Sequence, residues 1–294
     1  MLQYLQKNVD ITSLSNFKTK AKAHYFFEIN SRQDIDKLTE VVYYARQKNL
    51  EILFVWAGTN MLFAFKKYNW IVIKNNLNWW SYNPGTKILE SYSIELISDI
   101  AKSLEKDFGQ ELWHRFIWLP WSIWWAVYWN AWCFWLETEN NFLKAEILDT
   151  ESGQCRQLST TEMNFSYRNS ILKEQWSRHF LIKVWFDLST KVEKYHSDVD
   201  NIDFRENKQP KWFTCGSFFK NPSREFSAWY LIEQVWLKWY KIWGAYFSDL
   251  HANFLMSDWT ATYKDLLDLI HLAQKKVKEK FWIDLINEVR IISN

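Results

Sequence analysis

Glycine is scarce in this chain of 294 residues, which contains 6 Gly and 21 Trp. A chain of this length with average composition holds about 20 Gly, taking the usual share of ~7%. The counts of glycine and tryptophan are therefore close to exchanged. Glycine is the residue that adopts positive φ most readily, so its scarcity bears directly on how tight turns are built.

Cysteines are few, the net charge is small, and no pattern of a secretory leader is seen at the start of the sequence. Cys133, Cys155 and Cys215 are an odd number without C-x-x-C spacing, which argues against a disulfide framework and a zinc site, and no metal is expected. A formal net charge of +2 leaves no electrostatic footprint for nucleic acid. Residues 1–10 lack the charged start and apolar stretch of a secretory signal, so a cytoplasmic protein is expected.

Apolar residues recur at helical spacing in four segments, and short β-branched and aromatic runs lie between them. Ser31 with Asp34, and Thr262 with Asp265, have the three-residue spacing of a capping box. The predicted helices cover about 31–49, 93–106 and 227–235, with a longer one opened by Thr262. The predicted strands cover 51–55, 70–74, 142–148, 180–188 and 288–292. Mixed helices and strands indicate a chain of the α+β class.

The segment 116–135 reads FIWLPWSIWWAVYWNAWCFW and contains no charged residue. Its length suits a transmembrane helix. Three features argue against that interpretation: Pro120 breaks the pattern, Ser122 and Asn130 are polar, and Trp prefers the bilayer interface. An aromatic platform for sugars would use a few spaced rings instead of adjacent ones. A Trp-rich protein that associates with membranes or binds carbohydrate is the alternative class, and it is not an enzyme.

Replacing each Trp of this segment by Gly gives FIGLPGSIGGAVYGNAGCFG, a glycine-rich loop. Such a loop can take positive φ and bring backbone N–H groups close to a dinucleotide pyrophosphate. The exchange arises if UGA encodes glycine in the source organism and is translated as Trp. If every Trp were literal, about ten residues in the left-handed region would cost on the order of 10–20 kcal/mol, at ~1–2 kcal/mol each. That cost is comparable to the ~5–15 kcal/mol stability of a whole domain.

With Trp taken as Gly, four segments resemble motifs of the MurB family, in the order of that family. Residues 56–60 (WAGTN) are similar to G-x-G-[ST]-N, and residues 119–132 are similar to P-G-[ST]-x-G-G-A followed by N-A-G. Residues 165–170 (FSYRNS) are similar to Y-R-x-S, and residues 216–222 (GSFFKNP) to G-S-x-F-K-N-P. The match extends over nearly the whole chain through residues 228–234, 251–254 and 288–290. The chain resembles the shorter of the two forms of MurB-family proteins.

The resemblance implies an α+β fold with a two-part FAD-binding domain of the vanillyl-alcohol-oxidase and MurB type. This domain is expected at 1–190, with subdomains of about 1–70 and 71–190, followed by a substrate-binding domain at 191–294. The implied FAD-binding residues are Trp56, Ala57, Gly58, Thr59, Asn60, Trp121, Ser122, Trp124, Trp125, Asn130, Ala131 and Trp132.

The implied reaction belongs to peptidoglycan synthesis: an FAD-dependent oxidoreductase uses NADPH to reduce UDP-N-acetylglucosamine enolpyruvate to UDP-N-acetylmuramate. Ser217 is the expected proton donor, Arg168 pairs with the substrate carboxylate or enolate, and Glu288 assists the proton path or the intermediate. The expected substrate contacts are Tyr167, Asn221, Gln234 and Arg290. A cytoplasmic monomer without a nucleic-acid or membrane partner is expected. A different oxidoreductase on the same flavin fold is the rival within the enzyme class.

Overall fold

The structure, a computed structural model, describes residues 2–56, 58, 60–117, 119, 121–133, 136–175, 178–189, 210, 213–223 and 225–294. It divides into two compact units. The first consists of residues 1–6, 26–57 and 70–203, and the second of residues 7–25, 58–69 and 204–294. The expected domain boundary at 190/191 falls outside the described residues and stays a prediction. Ala57 and Thr59, expected to bind the flavin, also lie outside them.

The secondary structure mixes helices and strands along the whole described chain. The strands are β1 (Gln6–Asp10), β2 (Lys22–Ile29), β3 (Ile52–Val55), β4 (Met61–Phe63), β5 (Lys67–Asn75), β6 (Trp80–Asn83), β7 (Ile88–Tyr92), β8 (Trp132–Cys133), β9 (Leu136–Glu137), β10 (Phe142–Asp149), β11 (Gln154–Ser159), β12 (His179–Asp187), β13 (Thr214–Ser217), β14 (Lys241–Ile242), β15 (Ala245–Phe247), β16 (Phe254–Ser257) and β17 (Arg290–Ile292). The α-helices are α1 (Asp34–Gln47), α2 (Ile97–Phe108), α3 (Ile123–Tyr128), α4 (Thr160–Met163), α5 (Ile171–Glu174), α6 (Ala228–Gln234) and α7 (Tyr263–Phe281).

The first unit is built around an antiparallel sheet of strand order β11-β10-β12-β7-β6. Its central strand β12 pairs with β10 and β7, and the inward side chains Val184 and Phe186 are fully buried. In the same unit β3 pairs in parallel with β5, with Ile52 opposite Ile71 and Val55 opposite Lys74. These strands confirm the runs predicted at 51–55, 70–74, 142–148 and 180–188.

The second unit has a sheet of order β13-β16-β15-β14 and a parallel pair formed by β17 and β4. The helix α7 packs its apolar face into the core, where Leu266, Ile270, Ala273 and Val277 are fully buried beside Phe218. This face is the one that the helical spacing predicts. The helix at 227–235 and the strand at 288–292 are also confirmed, as α6 and β17.

Helix starts follow the predicted capping chemistry in part. Thr262 Oγ1 accepts from the N–H of Asp265, whose carboxylate accepts from the N–H of Thr262, so the capping box of α7 is confirmed. At α1, Asp34 accepts from the N–H and Oγ of Ser31, but the N–H of Asp34 donates to the backbone oxygen of Ser31. The reciprocal box predicted there is therefore wrong, because the turn closes through the backbone.

The segment 116–135 does not form one long helix. Its described residues contain a short helical turn ending at Phe116, the six-residue helix α3 and the strand β8. Within the ranges that the structure describes, no helix has both the length and the apolar character needed to cross a membrane.

Positive φ is found at four Trp residues: Trp236, Trp239, Trp243 and Trp282, with φ between 49° and 65°. The expectation of about ten strained Trp sites is wrong for the described residues, because only these four have positive φ and the described Trp residues of the glycine-like loop all have ordinary φ. Four sites at ~1–2 kcal/mol each cost roughly 4–8 kcal/mol. This remains a large fraction of the ~5–15 kcal/mol that stabilises a domain.

Candidate active site

The loop predicted to hold the flavin pyrophosphate runs into α3 in the first unit. Ser122 directly precedes the helix and is 1% exposed. Its Oγ accepts from the N–H of Trp125, the third helical residue, and so caps the helix start. The N–H groups of residues 123 to 126 all donate to protein oxygens: Glu95 O at 2.8 Å, Ser93 O at 2.8 Å, Ser122 Oγ at 3.3 Å and Ser122 O at 2.9 Å. The backbone donors of this helix start are therefore already engaged within the protein.

Aromatic rings fill the space beside that helix. The indoles of Trp56 and Trp124 stack with ring centroids 3.8 Å apart and planes 15° apart. Trp124 also contacts Trp125, with centroids at 4.6 Å, and Tyr128, at 4.7 Å. All four side chains are at least 93% buried. The structure thus brings together predicted flavin-binding residues from two separate segments. Their rings contact one another and leave no space between them for a flavin.

This arrangement does not fit FAD at the predicted loop. A pyrophosphate needs several backbone N–H groups pointing into an open concavity. Here the N–H groups of residues 123 to 126 have protein acceptors, and rings stacked at 3.8 Å leave no room between them. The filled space comes from the side chains of Trp56 and Trp124, which the resemblance gives as glycine, whereas the engaged N–H groups are a property of the backbone around α3.

The turn after α3 carries Asn130, Ala131 and Trp132. Asn130 is 1% exposed and has a φ of 44°, a region that Asn tolerates. Its Oδ1 accepts from the N–H of Glu139 at 3.0 Å, and its Nδ2 donates to Glu137 at 2.9 Å and to Ser166 O at 3.4 Å. Ala131 is fully buried, whereas Trp132 is 37% exposed. Asn130 therefore acts as a structural link between this turn and the segment that holds Arg168.

Arg168 lies in a tight turn of the first unit. Ser166 and Asn169 exchange backbone hydrogen bonds of 3.2 and 3.0 Å across the turn, and Arg168 itself has a φ of 56°. Lys173 Nζ donates to Arg168 O at 2.8 Å, and Ser170 Oγ donates to Tyr128 O at 2.8 Å, which fastens the turn to α3. These contacts explain how a strained Arg is held in place.

The guanidinium of Arg168 is suited to an anion. Its Nη1 is buried and has no hydrogen-bond acceptor among the residues that the structure describes. Its Cζ lies 5.6 Å from the ring centroid of Trp121 and 6.0 Å from that of Tyr167. Tyr167 is 78% exposed. A buried guanidinium N–H without an acceptor favours a carboxylate or enolate oxygen as its partner, since an unpaired buried charge is costly.

In the second unit, Gly58 comes close to the backbone of Leu14, and its predicted contact with the flavin stays a prediction. It has a φ of 65°, and a Cβ there would lie 2.0 Å from Leu14 O. Its own oxygen accepts from the N–H of Asn16 at 3.2 Å. Asn60, 4% exposed, donates through Nδ2 to Glu288 O at 3.2 Å and accepts at its backbone oxygen from the N–H of Arg290 at 3.1 Å. The G-x-G-[ST]-N turn is thereby joined to the last strand of the chain.

The predicted proton donor and its carboxylate partner lie on neighbouring segments of this unit. Ser217 ends β13, directly after Gly216, whose φ is 81°. Phe218 O, one residue later, accepts from the N–H of Glu288 at 2.8 Å. Both Ser217 and Glu288 are half-buried. The backbone therefore brings together two residues that are 71 positions apart in the sequence.

Asn253 is a residue of this site to which sequence reasoning gave no role. It is 2% exposed; its Oδ1 accepts from the N–H of Phe219 at 2.9 Å, and its Nδ2 donates to Phe219 O at 2.8 Å. Its backbone oxygen accepts from the N–H of Phe218 at 2.8 Å. Asn253 thus fixes the segment that follows Ser217. The motif at 251–254 was the available signal.

The remaining predicted substrate contacts have structural partners in the second unit. Asn221 is exposed, and its Oδ1 accepts from the N–H of Ala228 at 2.9 Å at the start of α6. Gln234 ends α6, and its backbone oxygen accepts from Lys280 Nζ at 2.8 Å. Arg290 begins β17 and is half-buried. Their role in binding substrate stays a prediction.

The thiol nearest to the predicted proton donor is not a nucleophile. Cys215 is 8% exposed, and burial raises the pKa of its thiol to about 12. The thiolate is the reactive form of cysteine, so this side chain stays protonated near neutral pH. The role of Ser217 in proton transfer stays a prediction.

The fold of this chain is similar to that of a known class of enzymes, the MurB reductases. The MurB crystal structure from Thermus caldophilus superimposes with a TM-score of 0.75 at 19% sequence identity, covering 99% of this chain and 100% of that chain. This similarity confirms the predicted α+β fold of the MurB type. Residues 209–292 also match the family model described as UDP-N-acetylenolpyruvoylglucosamine reductase, C-terminal domain.

Sequence relatives extend the match to nearly the whole chain. The UDP-N-acetylenolpyruvoylglucosamine reductase of Caldanaerobacter subterraneus subsp. tengcongensis is 32% identical over 92% of this chain and 91% of its own length. That of Protochlamydia amoebophila is 29% identical over 98% of this chain and 93% of its own length. The chain belongs to the UDP-N-acetylenolpyruvoylglucosamine reductase (MurB) family. Membership confirms the expected oxidoreductase class and does not favour a Trp-rich binding protein.

Proposed function

We propose that this chain reduces UDP-N-acetylglucosamine enolpyruvate to UDP-N-acetylmuramate in peptidoglycan synthesis, with FAD as its bound cofactor and NADPH as the hydride donor. The observation that carries the proposal is identity of 32% with a reductase over 92% of this chain. The segments bearing Ser217 and Glu288, joined by hydrogen bonds in the second unit, support it further. When bound, FAD would accept hydride from NADPH and pass it to the substrate, as the family resemblance implies.

Arg168 is proposed to bind the substrate carboxylate and the enolate-like charge that develops beside it. Its buried Nη1 without an acceptor among the described residues is suited to this task. A fixed cation aimed at developing charge stabilises a transition state more than a ground state. Tyr167, Asn221, Gln234 and Arg290 are proposed as further contacts to the nucleotide sugar.

Ser217 is proposed to donate the proton that completes the reduced carbon skeleton. Its position directly after Gly216, beside a segment fixed by Asn253, gives the hydroxyl a defined place on the backbone. Glu288, on the adjoining segment, is proposed to orient the proton path or to stabilise the intermediate. General acid catalysis of this kind contributes typically about 10²–10⁴-fold to the rate.

The assignment of residues 1–190 to FAD binding and 191–294 to substrate binding is part of this proposal. So are a monomeric state and a cytoplasmic location. The FAD-binding residues are proposed to be those of the motifs at 56–60 and 121–132. Because the indoles fill the space and the N–H groups of residues 123 to 126 have protein acceptors, the proposal for these motifs requires glycine at the Trp positions and release of those N–H groups.

The test separates hydride supply from proton donation in the chain carrying glycine at Trp56 and at each Trp of the segment 116–135. In Ser217→Ala we expect NADPH to bleach the flavin absorbance as in the parent protein, while re-oxidation by UDP-N-acetylglucosamine enolpyruvate falls by at least about 10²-fold. Ser223→Ala, which changes an exposed turn serine of the same unit, is the matched control and should leave both steps unchanged. Loss of both steps in Ser217→Ala would refute the proton-donor role.

A further inference from the structure

Four Trp residues of the second unit occupy backbone positions built for glycine. We infer that the native chain carries glycine at positions 236, 239, 243 and 282, encoded by UGA, and that Trp113 is a genuine tryptophan encoded by UGG. The inference rests on backbone geometry and packing, and it does not depend on the proposed function.

Position 282 can be compared directly with a glycine of the same chain. Trp282 ends α7 with a φ of 60° and a ψ of 21°, and its N–H donates to Lys278 O, four residues earlier. Gly109 ends α2 with a φ of 63° and a ψ of 23°, and its N–H donates to Glu105 O, also four residues earlier. Both residues are left-handed helix caps with nearly equal φ and ψ, and glycine is the usual residue at such a cap.

Position 236 closes α6 in a Schellman motif. The N–H of Trp236 donates to Glu233 O at 3.0 Å, and the N–H of Leu237 donates to Ile232 O at 3.2 Å. These are the paired hydrogen bonds of that motif. Trp236, with a φ of 60°, occupies its left-handed position. Glycine is the common occupant of that position because it has no Cβ to clash with the following carbonyl.

Positions 239 and 243 lie in two tight turns. The N–H of Tyr240 donates to Leu237 O at 2.9 Å and closes a turn whose third residue, Trp239, has a φ of 65°. Positive φ at that position is the reason type II turns take glycine there. Trp243, with a φ of 49°, is the first of the two residues between β14 and β15, the position that glycine occupies in a type II′ hairpin.

The indole rings at these positions gain little from packing. Trp236, Trp239, Trp243 and Trp282 are 86%, 66%, 83% and 82% exposed. Burial of a large aromatic surface is what normally favours Trp. Four separate turn and cap types thus combine a strained backbone with an exposed side chain, and glycine removes the strain at all four.

Trp113 has the opposite environment. It is 1% exposed, has a φ of −91°, and donates through Nε1 to Asn141 Oδ1 at 3.3 Å. Its ring packs edge-on against Phe186, with centroids at 4.8 Å, and against Phe116, at 5.5 Å. Glycine here would leave a large cavity and an unpaired amide. Glycine at positions 56, 124 and 125 is a separate inference. It rests on the proposed function, because the argument there is that the Trp rings exclude the cofactor.

Peptide mass spectrometry of the protein purified from its source organism tests the inference. Trypsin releases residues 281–290 and 107–115 as separate peptides, since Lys280, Arg290, Lys106 and Arg115 flank them. We expect the first peptide to be lighter by the mass difference between Trp and Gly, corresponding to glycine at 282, and the second to retain Trp. Trp at 282 or glycine at 113 would overturn the inference.

Stability of the recombinant chain with Trp at these sites gives an independent test. Trp282→Gly is expected to raise the unfolding midpoint by roughly 2–4 °C, whereas Trp113→Gly is expected to lower it by several times that amount. The reverse swap Gly109→Trp, at a cap where an added Cβ meets nothing within 4 Å, should lower the midpoint by about as much as Trp282→Gly raises it. A lower midpoint for Trp282→Gly would contradict the inference.

The two proposals fail separately. Glycine at 236, 239, 243 and 282 in a protein without reductase activity would leave this inference standing and refute the proposed function. Trp at these four positions in an active reductase would do the reverse.

Discussion

Replacing Asn253 by Ala should damage both stability and catalysis, because this side chain holds the segment after Ser217. Its amide makes two hydrogen bonds to Phe219, to the N–H at 2.9 Å and to the carbonyl at 2.8 Å, and it is 2% exposed. Each backbone group left unsatisfied costs about 1–3 kcal/mol. The expected loss in free energy of unfolding is therefore roughly 2–6 kcal/mol.

The catalytic effect should appear beside the loss of stability. A displacement of about 1 Å in a reacting group can lower the rate by about 10²-fold. We expect kcat of Asn253→Ala to fall by that order at a temperature where the variant is fully folded, with little change in flavin reduction by NADPH. Urea unfolding followed by fluorescence gives the stability, and single-turnover re-oxidation of the flavin gives the rate.

Asn16→Ala is the matched control for this prediction. Asn16 lies in the same unit and makes one longer bond, from Nδ2 to Thr214 O at 3.3 Å, in a partly buried position. Its loss should cost only about 0.5–1.5 kcal/mol. The reasoning is refuted if Asn253→Ala is as stable as Asn16→Ala and turns over at the parental rate.

Three smaller predictions concern a helix cap, an acid and a thiol. Thr262→Ala should lower the free energy of unfolding by about 1 kcal/mol, measured in urea, because α7 loses its capping box. The hydrogen bond from Lys37 lowers the pKa of Asp34 from 3.8 to about 2, so its contribution to stability is present above pH 3.8 and is lost as pH falls towards 2; Asp34→Asn should flatten unfolding midpoints measured across that window. Burial raises the pKa of both Cys155 and Cys215, the latter to about 12, so iodoacetamide at pH 8 should label the exposed Cys155 of the folded protein slowly and spare the buried Cys215, as peptide mapping would show.

Local patterns predicted the elements that depend on local chemistry. The helical spacing and the Thr262–Asp265 pair located α7, and the β-branched runs located β3, β10 and β12. In each case the decisive interactions lie within a few residues of one another.

Long-range placement could not be predicted in this way. Residues 7–25 and 58–69 belong to the same unit as residues 204–294, and no periodicity or turn signal in those segments indicates it. The hydrogen bonds of Asn253 to Phe219 span 34 positions, so the motif at 251–254 marks the residue but does not indicate its partner. The same holds for the stacking of Trp56 on Trp124.

The Trp residues show why a pattern can indicate a family and still misplace the strain. Positive φ is one of two reasons to expect glycine in the loop at 116–135, the other being close approach of the backbone to phosphate, yet the described Trp residues of that loop have ordinary φ. In this loop the indoles conflict with the cofactor by occupying space. The backbone strain lies instead in caps and turns of the second unit, such as Trp282.

The proposed reductase activity is tested most directly by re-oxidation of the reduced flavin. The protein, prepared with glycine at Trp56 and throughout the segment 116–135, is loaded with FAD and bleached anaerobically with one equivalent of NADPH. Addition of UDP-N-acetylglucosamine enolpyruvate should restore the flavin absorbance and yield one equivalent of UDP-N-acetylmuramate. A flavin that stays bleached in the presence of this substrate, or a protein that binds no flavin, would contradict the account.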